Sequence, residues 1–351
     1  MIRLAIIGTG GMANAHVQSF AAIKDCKVVA CCDIVPGRAK AFAEKNKIPA
    51  AYDNARAMLK KERLDGVSIV TTDQAHAPAA LLVIEHGVHV MCEKPLADNL
   101  KDACRMRDAS RRKKLLTAVN FSYRNNPATQ KAAQLVASGK LGHIRHVEGS
   151  YLQSWLVGKS WGDWHKTEAF LWRLSTKHGS AGTLGDLGIH LYDLAAFVVG
   201  DFAELSCMLT TFDKGMKRIG PYIFDANDSV VTTVRFRNGA LGTLHTTRWA
   251  TGHINTVALR VYGDQGALDL NLDRPAPDTL RVCLGNDVEK ADWKPVKCPA
   301  TPTMYQRFVS SLKTGQQGQT SFAGGAKVQV YLDASAVSAK QGGKIITLHI
   351  E

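Results

Sequence analysis

The chain has 351 residues, enough for about two domains, and 45% of them are hydrophobic, as in an average soluble globular protein. No apolar stretch approaches the roughly 20 residues of a membrane-spanning helix, and the first apolar run leads directly into a glycine turn, unlike a signal peptide. The net charge of +13 is spread along the chain, which argues against nucleic acid as a partner. We therefore expect a cytoplasmic protein without a membrane partner. Its eight cysteines include no C-x-x-C pair, and we expect no metal site.

Short apolar runs alternate with amphipathic stretches over the first third of the chain. The runs predict strands at residues 3–7, 27–32, 66–71, 89–92 and 115–119. The stretches between them predict helices at 12–23, 38–47, 55–62, 77–86 and 100–113. Buried strands alternating with helices favour a parallel sheet covered on both faces. We therefore predict that residues 1–121 form an α/β domain, a doubly wound Rossmann fold that binds NAD(P).

From residue 122 onward this alternation stops. Predicted strands occupy residues 145–152, 203–212, 229–236, 242–249, 256–262, 267–272 and 345–350. Predicted helices occupy 127–137, 185–198, 305–313 and 325–341. Asn238-Gly239 is a strong hairpin signal between two of the strands. The pattern predicts a second domain, residues 122–351, of the α+β class with a large, mostly antiparallel sheet.

A glycine-rich segment, Gly8 to Ala13, follows the first predicted strand and matches the fingerprint G-x-G-x-x-G/A. Gly8 permits the tight turn, Gly10 lets the backbone approach a pyrophosphate, and Ala13 lets the next helix pack on the strand. Gly11 and Met12 open that helix, whose free N–H groups attract phosphate. The segment predicts a dinucleotide site.

Asp33 ends the second predicted strand, where an acidic residue bonds the adenosine ribose hydroxyls. A carboxylate there repels a 2′-phosphate, so NAD is favoured over NADP. Arg38, five residues further on, can soften that preference. A plain strand-end aspartate in a solvated turn is the alternative.

Two further strand ends lie at the same edge of the predicted sheet. One carries Thr71, Thr72 and His76, and the other carries Glu93 and Lys94. Ligands of open parallel sheets bind beyond the carboxyl ends of the strands, so both segments are placed to meet cofactor or substrate. Burial would make Lys94 a useful proton donor or hydrogen-bond clamp, and a surface lysine is the alternative.

The segment from Gly185 to Asp193 carries acid–base residues. If it opens a helix, Asp186 and His190 share one face, and Asp193 lies three residues further along it. A carboxylate beside an imidazole suits a base that takes a hydroxyl proton as a hydride leaves. Two alternatives stay open: Asp186 caps the helix while His190 packs inside, or the three residues bind a metal.

The order of these motifs resembles that of the glucose–fructose oxidoreductase/inositol dehydrogenase/rhizopine catabolism (Gfo/Idh/MocA) family over essentially the whole chain. The resemblance implies that Lys94, Asp186 and His190 act together on a substrate hydroxyl. In this assignment His190 is the base, Asp186 orients it and binds the hydroxyl, and Lys94 polarises the reacting oxygen. The resemblance also implies which residues lie near the cofactor: Thr71, His76, Glu93 and Asn120.

The loop between residues 153 and 182 is similar to that of sugar-processing branches of the family, such as levoglucosan dehydrogenase. Candidate substrate residues are Tyr123, Gln153, Trp155, Trp172 and Arg173. Tryptophan faces stack on the C–H faces of pyranose rings, while Arg and Gln bond ring hydroxyls. The alternative for the two tryptophans is that they only fill a core. The stretch 157–168 resembles an insertion relative to that branch.

These observations predict an NAD-dependent dehydrogenase that oxidises a hydroxyl of a sugar, sugar derivative or cyclic polyol. One alternative is an NADPH-dependent reductase of a ketosugar or dicarbonyl, and a second is a non-catalytic NAD(P)-binding sensor. Since an antiparallel sheet needs both faces covered and the family often covers one with another subunit, we also expect a homodimer or homotetramer.

Overall fold

The computed structural model describes residues 1–274 and 277–350, which divide into two compact units. Unit 1 comprises Met1–Ser122 together with Pro302–Gln329, and unit 2 comprises Tyr123–Thr301 and the C-terminal segment from Val330 onward. The division near residue 122 matches the change of pattern in the sequence. We expected two contiguous domains, but Pro302–Gln329 belongs to unit 1. Sequence patterns did not predict this, because it depends on contacts between residues far apart in the chain.

Unit 1 contains six strands in the order β3-β2-β1-β4-β5-β6, all parallel. Its first eleven elements are β1 (Ile2–Ile7), α1 (Gly11–Ala21), β2 (Cys26–Cys32), α2 (Arg38–Asn46), β3 (Ala50–Tyr52), α3 (Ala55–Lys61), β4 (Gly66–Ile69), α4 (Asp73–Glu85), β5 (His89–Cys92), α5 (Leu100–Arg112) and β6 (Thr117–Val119). The central strands β1 and β4 are mostly apolar, and from Leu4 onward in β1 and throughout β4 their residues are buried, as a parallel sheet covered on both faces requires. The predicted Rossmann-like sheet is confirmed, and β3 is the strand that sequence analysis missed.

Unit 2 is built on a nine-stranded sheet in the order β16-β15-β14-β13-β7-β12-β11-β8-β17. Its elements up to residue 301 are α6 (Pro127–Ala137), β7 (Ile144–Gln153), α7 (Glu168–Leu171), α8 (Ile189–Val199), β8 (Phe202–Thr210), β9 (Arg218–Ile219), β10 (Tyr222–Ile223), β11 (Ser229–Phe236), β12 (Leu241–Thr247), β13 (Asn255–Gly263), β14 (Gly266–Arg274), β15 (Thr279–Leu284), α9 (Asp287–Lys290) and β16 (Lys294–Pro295). Its described pairings are antiparallel except β12 with β7. The predicted mostly antiparallel sheet is confirmed, and the hairpin at Asn238-Gly239 joins β11 to β12.

One face of this sheet packs against α8, and the other faces away from it. Gly149 of β7 makes the close packing possible, because a Cβ there would lie 2.6 Å from Leu244 Cδ2 and 3.1 Å from Leu191 Cδ1 of α8. Side chains that point the other way, such as Met208 and Val231, remain exposed. We call this second side the outer face.

The last three elements are α10 (Met304–Thr314), α11 (Phe322–Lys340) and β17 (Ile346–Thr347). Thr303 and Gln306 form a capping box that starts α10, and Gly315 ends it in the left-handed region. Phe308 of α10 is buried in the unit 1 core, beside Gly66 of β4. The helix therefore completes the nucleotide-binding unit. None of the helices in the described ranges is long and apolar enough to cross a bilayer.

Replacement of Phe308 by alanine tests whether α10 belongs to the unit 1 core. We expect F308A to lose about 3–5 kcal/mol of unfolding free energy, since a fully buried phenylalanine leaves a cavity. Urea unfolding measures the loss. Ser310→Ala, on the exposed side of the same helix, is the matched control and should change stability by less than about 0.5 kcal/mol. Equal stability of F308A and S310A would contradict the assignment.

Candidate active site

The glycine turn between β1 and α1 has the geometry of a pyrophosphate site. Gly8 has φ +91°, and a Cβ there would lie 2.6 Å from the carbonyl oxygen of Val70, so only glycine fits. A Cβ on Gly10 or Gly11 would have no atom within 4 Å, so the backbone is open to a ligand. Since α1 starts at Gly11, its unpaired N–H groups lie at this open surface, and Met12 beside them is exposed.

Asp33 lies at the end of β2 and is held as a carboxylate. Its Oδ2 accepts hydrogen bonds from both the backbone N and Oγ1 of Thr9, each at 2.8 Å, and its Oδ1 accepts one from Val35 N at 3.0 Å. Burial alone would raise the pKa of Asp33, but these bonds lower it below its ordinary value. Arg38 Nη1 is 3.9 Å from Oδ1. Asp33 is therefore a buried, hydrogen-bonded carboxylate at the strand end, and its contact with a ribose stays a prediction.

Glu93 belongs to a buried polar network in unit 1. Its Oε1 lies 2.8 Å from His16 Nε2 and accepts a hydrogen bond from Asn120 Nδ2 at 2.6 Å. Asn120 Nδ2 also donates to Tyr305 Oη at 3.1 Å, and His16 Nδ1 lies 2.8 Å from a serine hydroxyl of β4. Burial opposes the charge, but the bonds from His16 and Asn120 lower the pKa of Glu93 to about 2. Sequence analysis identified Glu93 and Asn120 but missed His16 and Tyr305, whose positions carry no local signal.

Lys94 is half-buried, and the backbone around it is fixed from two sides. Its N–H donates to Glu93 Oε2 at 3.2 Å. His76, fully buried in α4, donates from Nδ1 to the carbonyl oxygen of Pro95 at 2.8 Å. Thr71 is half-buried and Thr72 exposed, directly before α4. The side chains of His76 and Glu93 thus hold the segment that carries Lys94, and their contact with a cofactor stays a prediction.

In unit 2, Asp186 and His190 lie on successive turns of one helical segment. The prediction of a regular α-helix from residue 185 is corrected here: Leu184–Gly188 forms a π-helical turn, and α8 begins at Ile189. Such turns are uncommon and often occur at functional sites. Asp193, the third residue of the predicted set, is 1% exposed and forms a bidentate ion pair with Arg124, at 2.6 and 2.9 Å. Asp193 is thereby a packing residue.

His190 is half-buried among aromatic rings. The ring of Tyr123 meets it edge-on, with 5.2 Å between centroids, and the ring of Tyr151 is 6.3 Å away. Tyr151 also donates to Asn255 Oδ1 at 3.0 Å. Burial first, and the neighbouring Tyr123 next, raise the pKa of Tyr151 well above its ordinary value. Tyr151 is therefore neutral at any pH suited to the enzyme.

Asp186 is one-third exposed and is paired with arginines. Its Oδ2 accepts a hydrogen bond from Arg248 Nη2 at 3.0 Å, and Arg173 Nε lies 3.6 Å from the same oxygen. Sequence analysis missed Arg248. A signal was present in the sequence. Leu244, Thr246 and Arg248 are every second residue of the predicted strand and so share one face, which is the buried one, and this periodicity predicts an inward-pointing arginine.

The remaining predicted substrate residues differ in exposure. Gln153 is buried: its Nε2 donates to Asn255 Oδ1 at 2.8 Å, and its Oε1 accepts from Trp155 Nε1 at 3.0 Å. Trp155 is 2% exposed and lies in an apolar cluster, as expected for a tryptophan that only fills a core. Trp172 is 36% exposed and stacks with the Arg173 guanidinium at 4.6 Å. A substrate role for these residues stays a prediction.

The insertion-like stretch 157–168 is part of unit 2 and packs against its other residues. Trp164 is buried in the same apolar cluster as Trp155, and Trp161 Nε1 donates to the carbonyl oxygen of Ile254 at 3.1 Å. Within residues 1–274 and 277–350, no three His, Cys, Asp or Glu side chains are arranged to hold a metal ion.

Replacement of Glu93 by glutamine tests the network in unit 1. A pKa lowered from 4.5 to about 2 stabilises the fold above pH 4.5, and this contribution is lost as the pH falls towards 2. We expect E93Q to lose about 3 kcal/mol at pH 7, with a smaller deficit at pH 3. Urea unfolding across this range measures it. E85Q, which removes an exposed carboxylate, is the control, and a pH-independent deficit in E93Q would contradict the pKa argument.

Comparisons with known proteins identify the family. Residues 2–121 match the model described as oxidoreductase family, NAD-binding Rossmann fold, and residues 129–269 match the GFO/IDH/MocA C-terminal domain. Levoglucosan dehydrogenase of Pseudarthrobacter phenanthrenivorans is 30% identical over 82% of this chain and 77% of its own. D-glucoside 3-dehydrogenase of Escherichia coli K12 is 32% identical over 70% of each chain. A solved levoglucosan dehydrogenase in complex with NADH and L-sorbose has a TM-score of 0.88 at 26% identity, covering 100% of this chain and 99% of that one. The chain belongs to the GFO/IDH/MocA family of NAD-binding oxidoreductases.

Proposed function

We propose that this protein is an NAD-dependent dehydrogenase that oxidises a hydroxyl of a sugar, sugar derivative or cyclic polyol. The observation that carries the proposal is the pair formed by Asp186, held by arginine on a π-helical turn, and His190, half-buried one turn later. A partly exposed carboxylate followed by an imidazole is what proton removal from an alcohol needs. The names of the relatives support a carbohydrate substrate.

The residues of unit 1 fit NAD. The open backbone at Gly10 and Gly11 fits the pyrophosphate, and the ionised carboxylate of Asp33 fits two ribose hydroxyls. Arg38 lies 3.9 Å from Asp33, so each offsets part of the other's charge, and the proposed preference for NAD rests on the fixed, buried carboxylate of Asp33. When bound, NAD⁺ supplies the hydride acceptor. Thr71, Thr72, His76 and Asn120 complete the proposed cofactor set.

His190 is the proposed base. As the substrate carbon loses a hydride, the hydroxyl loses its proton to the imidazole, and the C–O bond becomes a carbonyl. Asp186 orients the imidazole and the substrate for this transfer, and it stabilises the imidazolium that forms. Lys94 is the third proposed member, as the resemblance to the family implies, and it polarises the reacting oxygen. Tyr123, Gln153, Trp155, Trp172 and Arg173 are the proposed substrate-binding residues.

A panel of levoglucosan, D-glucosides, other monosaccharides and inositols tests the proposal, with NADH absorbance followed at alkaline pH. We expect turnover of at least one sugar with NAD⁺, and slower turnover with NADP⁺, because Asp33 repels the extra phosphate. Faster reaction with NADP⁺ would contradict the cofactor assignment. Tight NAD binding without turnover of any panel member would instead favour a reductase of a ketosugar or dicarbonyl, or a non-catalytic sensor. Oxidation of NADH or NADPH in the presence of ketosugars then tests the reductase.

A sugar from this panel that the protein oxidises can also be used to test His190 as the base. H190A should lower kcat roughly 10²–10⁴-fold, the usual contribution of a general acid–base group, with NADH affinity unchanged. H178A, on a half-buried histidine bonded to Ser175, is the matched control. An H190A enzyme as fast as H178A would rule out the proposed mechanism.

The proposed assembly is a homodimer or homotetramer formed through the outer face of the unit 2 sheet. Val231 stands in register between Met208 of β8 and His245 of β12 on this face, and it is 49% exposed. The exposed Met208 and Val231, in register on an open sheet, form a surface that a second subunit would cover. The proposed location is the cytoplasm, which fits eight cysteines that form no disulfide.

Light scattering on the purified protein tests the assembly. We expect a mass of two or four chains for the wild type, and a 38.1 kDa species for V231E, because a buried carboxylate without a partner disrupts the interface. V288E, at an exposed valine of α9, should assemble like the wild type. A 38.1 kDa wild-type protein would refute the proposal.

A further inference from the structure

Arg248 is the largest fully buried side chain in the described part of the protein. It follows β12 directly, and its backbone N donates to the carbonyl oxygen of Asp228 at 3.0 Å. Burial lowers the pKa of its guanidinium, while Asp186 opposes that effect. An arginine stays charged even so, and a buried charge persists only where partners compensate it.

The partners of Arg248 fix the guanidinium in one place. Nη2 donates to Asp186 Oδ2 at 3.0 Å, and Nη1 donates to the carbonyl oxygen of Arg173 at 3.1 Å. Its centre lies 5.0 Å from the ring of Trp155, which covers one face of the plane. A rigid, planar donor of this kind sets both the position and the orientation of the carboxylate that it holds.

Stability alone does not account for this arginine. The Nε–H has no hydrogen-bond acceptor within the described ranges, so part of the cost of burial is not recovered. Replacing a buried ion pair by apolar residues is often neutral or stabilising. The ion pair is also asymmetric, since Arg248 is 0% exposed while the Asp186 side chain is 32% exposed. One carboxylate oxygen of Asp186 is thus anchored to a group in the protein interior, while the rest of the Asp186 side chain is partly exposed to solvent.

We propose that Arg248 is a positioning residue of the reaction: from the interior of unit 2 it holds Asp186 as an oriented carboxylate towards the substrate hydroxyl and His190. This inference rests on the proposed function. Arg248 itself touches no reacting atom and acts through Asp186. Two further groups interact with that carboxylate: Arg173 Nε lies 3.6 Å from the same oxygen, and Tyr151, whose pKa Asp186 helps to raise, is neutral.

Replacement of Arg248 separates positioning from packing. With the panel sugar that is oxidised fastest (levoglucosan as the first probe), R248M should lower kcat about 10²-fold, as for loss of one preorganised donor at a reacting centre. R248K keeps the charge and should recover part of the loss, and guanidinium ion added to R248A should recover part as well. NADH affinity, followed by fluorescence, should not change. An R248M enzyme within about threefold of wild-type kcat would overturn the inference.

A double-mutant cycle with D186N shows whether the effect passes through Asp186. In the D186N background, R248M should cost less than about threefold, because the group that it positions is already impaired. The matched control is R124M, which breaks the other buried Arg–Asp pair of unit 2, with Asp193. R124M should lower stability and have the same effect on kcat in both backgrounds. An R248M loss of equal size in both backgrounds would mean a structural role only.

The same cycle measured by urea unfolding needs no substrate. R248M and D186N should be strongly non-additive in unfolding free energy if the two side chains are paired in solution. Additive effects would overturn the inference whatever the activity. Clear non-additivity in a protein that oxidises no sugar of the panel would leave the pairing intact and overturn the proposed function instead.

Discussion

A carboxylate taken out of water is stable only when donors or cations surround it, and the candidate sites of both units depend on this constraint. Asp33 accepts three hydrogen bonds, Glu93 is held by His16 and Asn120, and Asp186 is held by Arg248. Apart from Val35, which lies in the same loop as Asp33, each partner comes from another part of the same unit. The carboxylates proposed to bind and react are thus also groups that each unit holds with several hydrogen bonds or an ion pair.

The two units meet the constraint differently. In unit 1 the hydrogen bonds to Asp33 and Glu93 come from neutral donors and one histidine, and Arg38 lies 3.9 Å from Asp33. This arrangement suits the proposed recognition of ribose hydroxyls. In unit 2 the carboxylates are held by arginines: Asp186 by Arg248, and Asp193 by Arg124. In the proposed mechanism, Arg248 is a permanent cation that holds Asp186 one helical turn before His190.

Sequence alone predicted the parts of the fold and site that depend on neighbours in the chain. The glycine turn, the strand ends that carry Asp33 and Lys94, and the hairpin at Asn238-Gly239 are local patterns, and each lies where expected. The partners that complete the sites are 62 residues away for Arg248 and Asp186, and 77 for His16 and Glu93. The periodicity of hydrophobic residues does not reveal pairings between such distant residues. It also does not distinguish the π-helical turn before α8 from an ordinary α-helical turn.

The return of α10 to unit 1 has a consequence for how the protein is made. On the ribosome, residues 1–121 emerge long before Phe308 and Tyr305, which fill the core beside β1 and α1. Until then the nascent nucleotide-binding unit has an uncovered apolar surface, and the network at Glu93 lacks one of its members. A fragment cut at residue 121 would keep that defect permanently. A self-sufficient nucleotide-binding module from this chain would have to join residue 122 to residue 302 through a short linker.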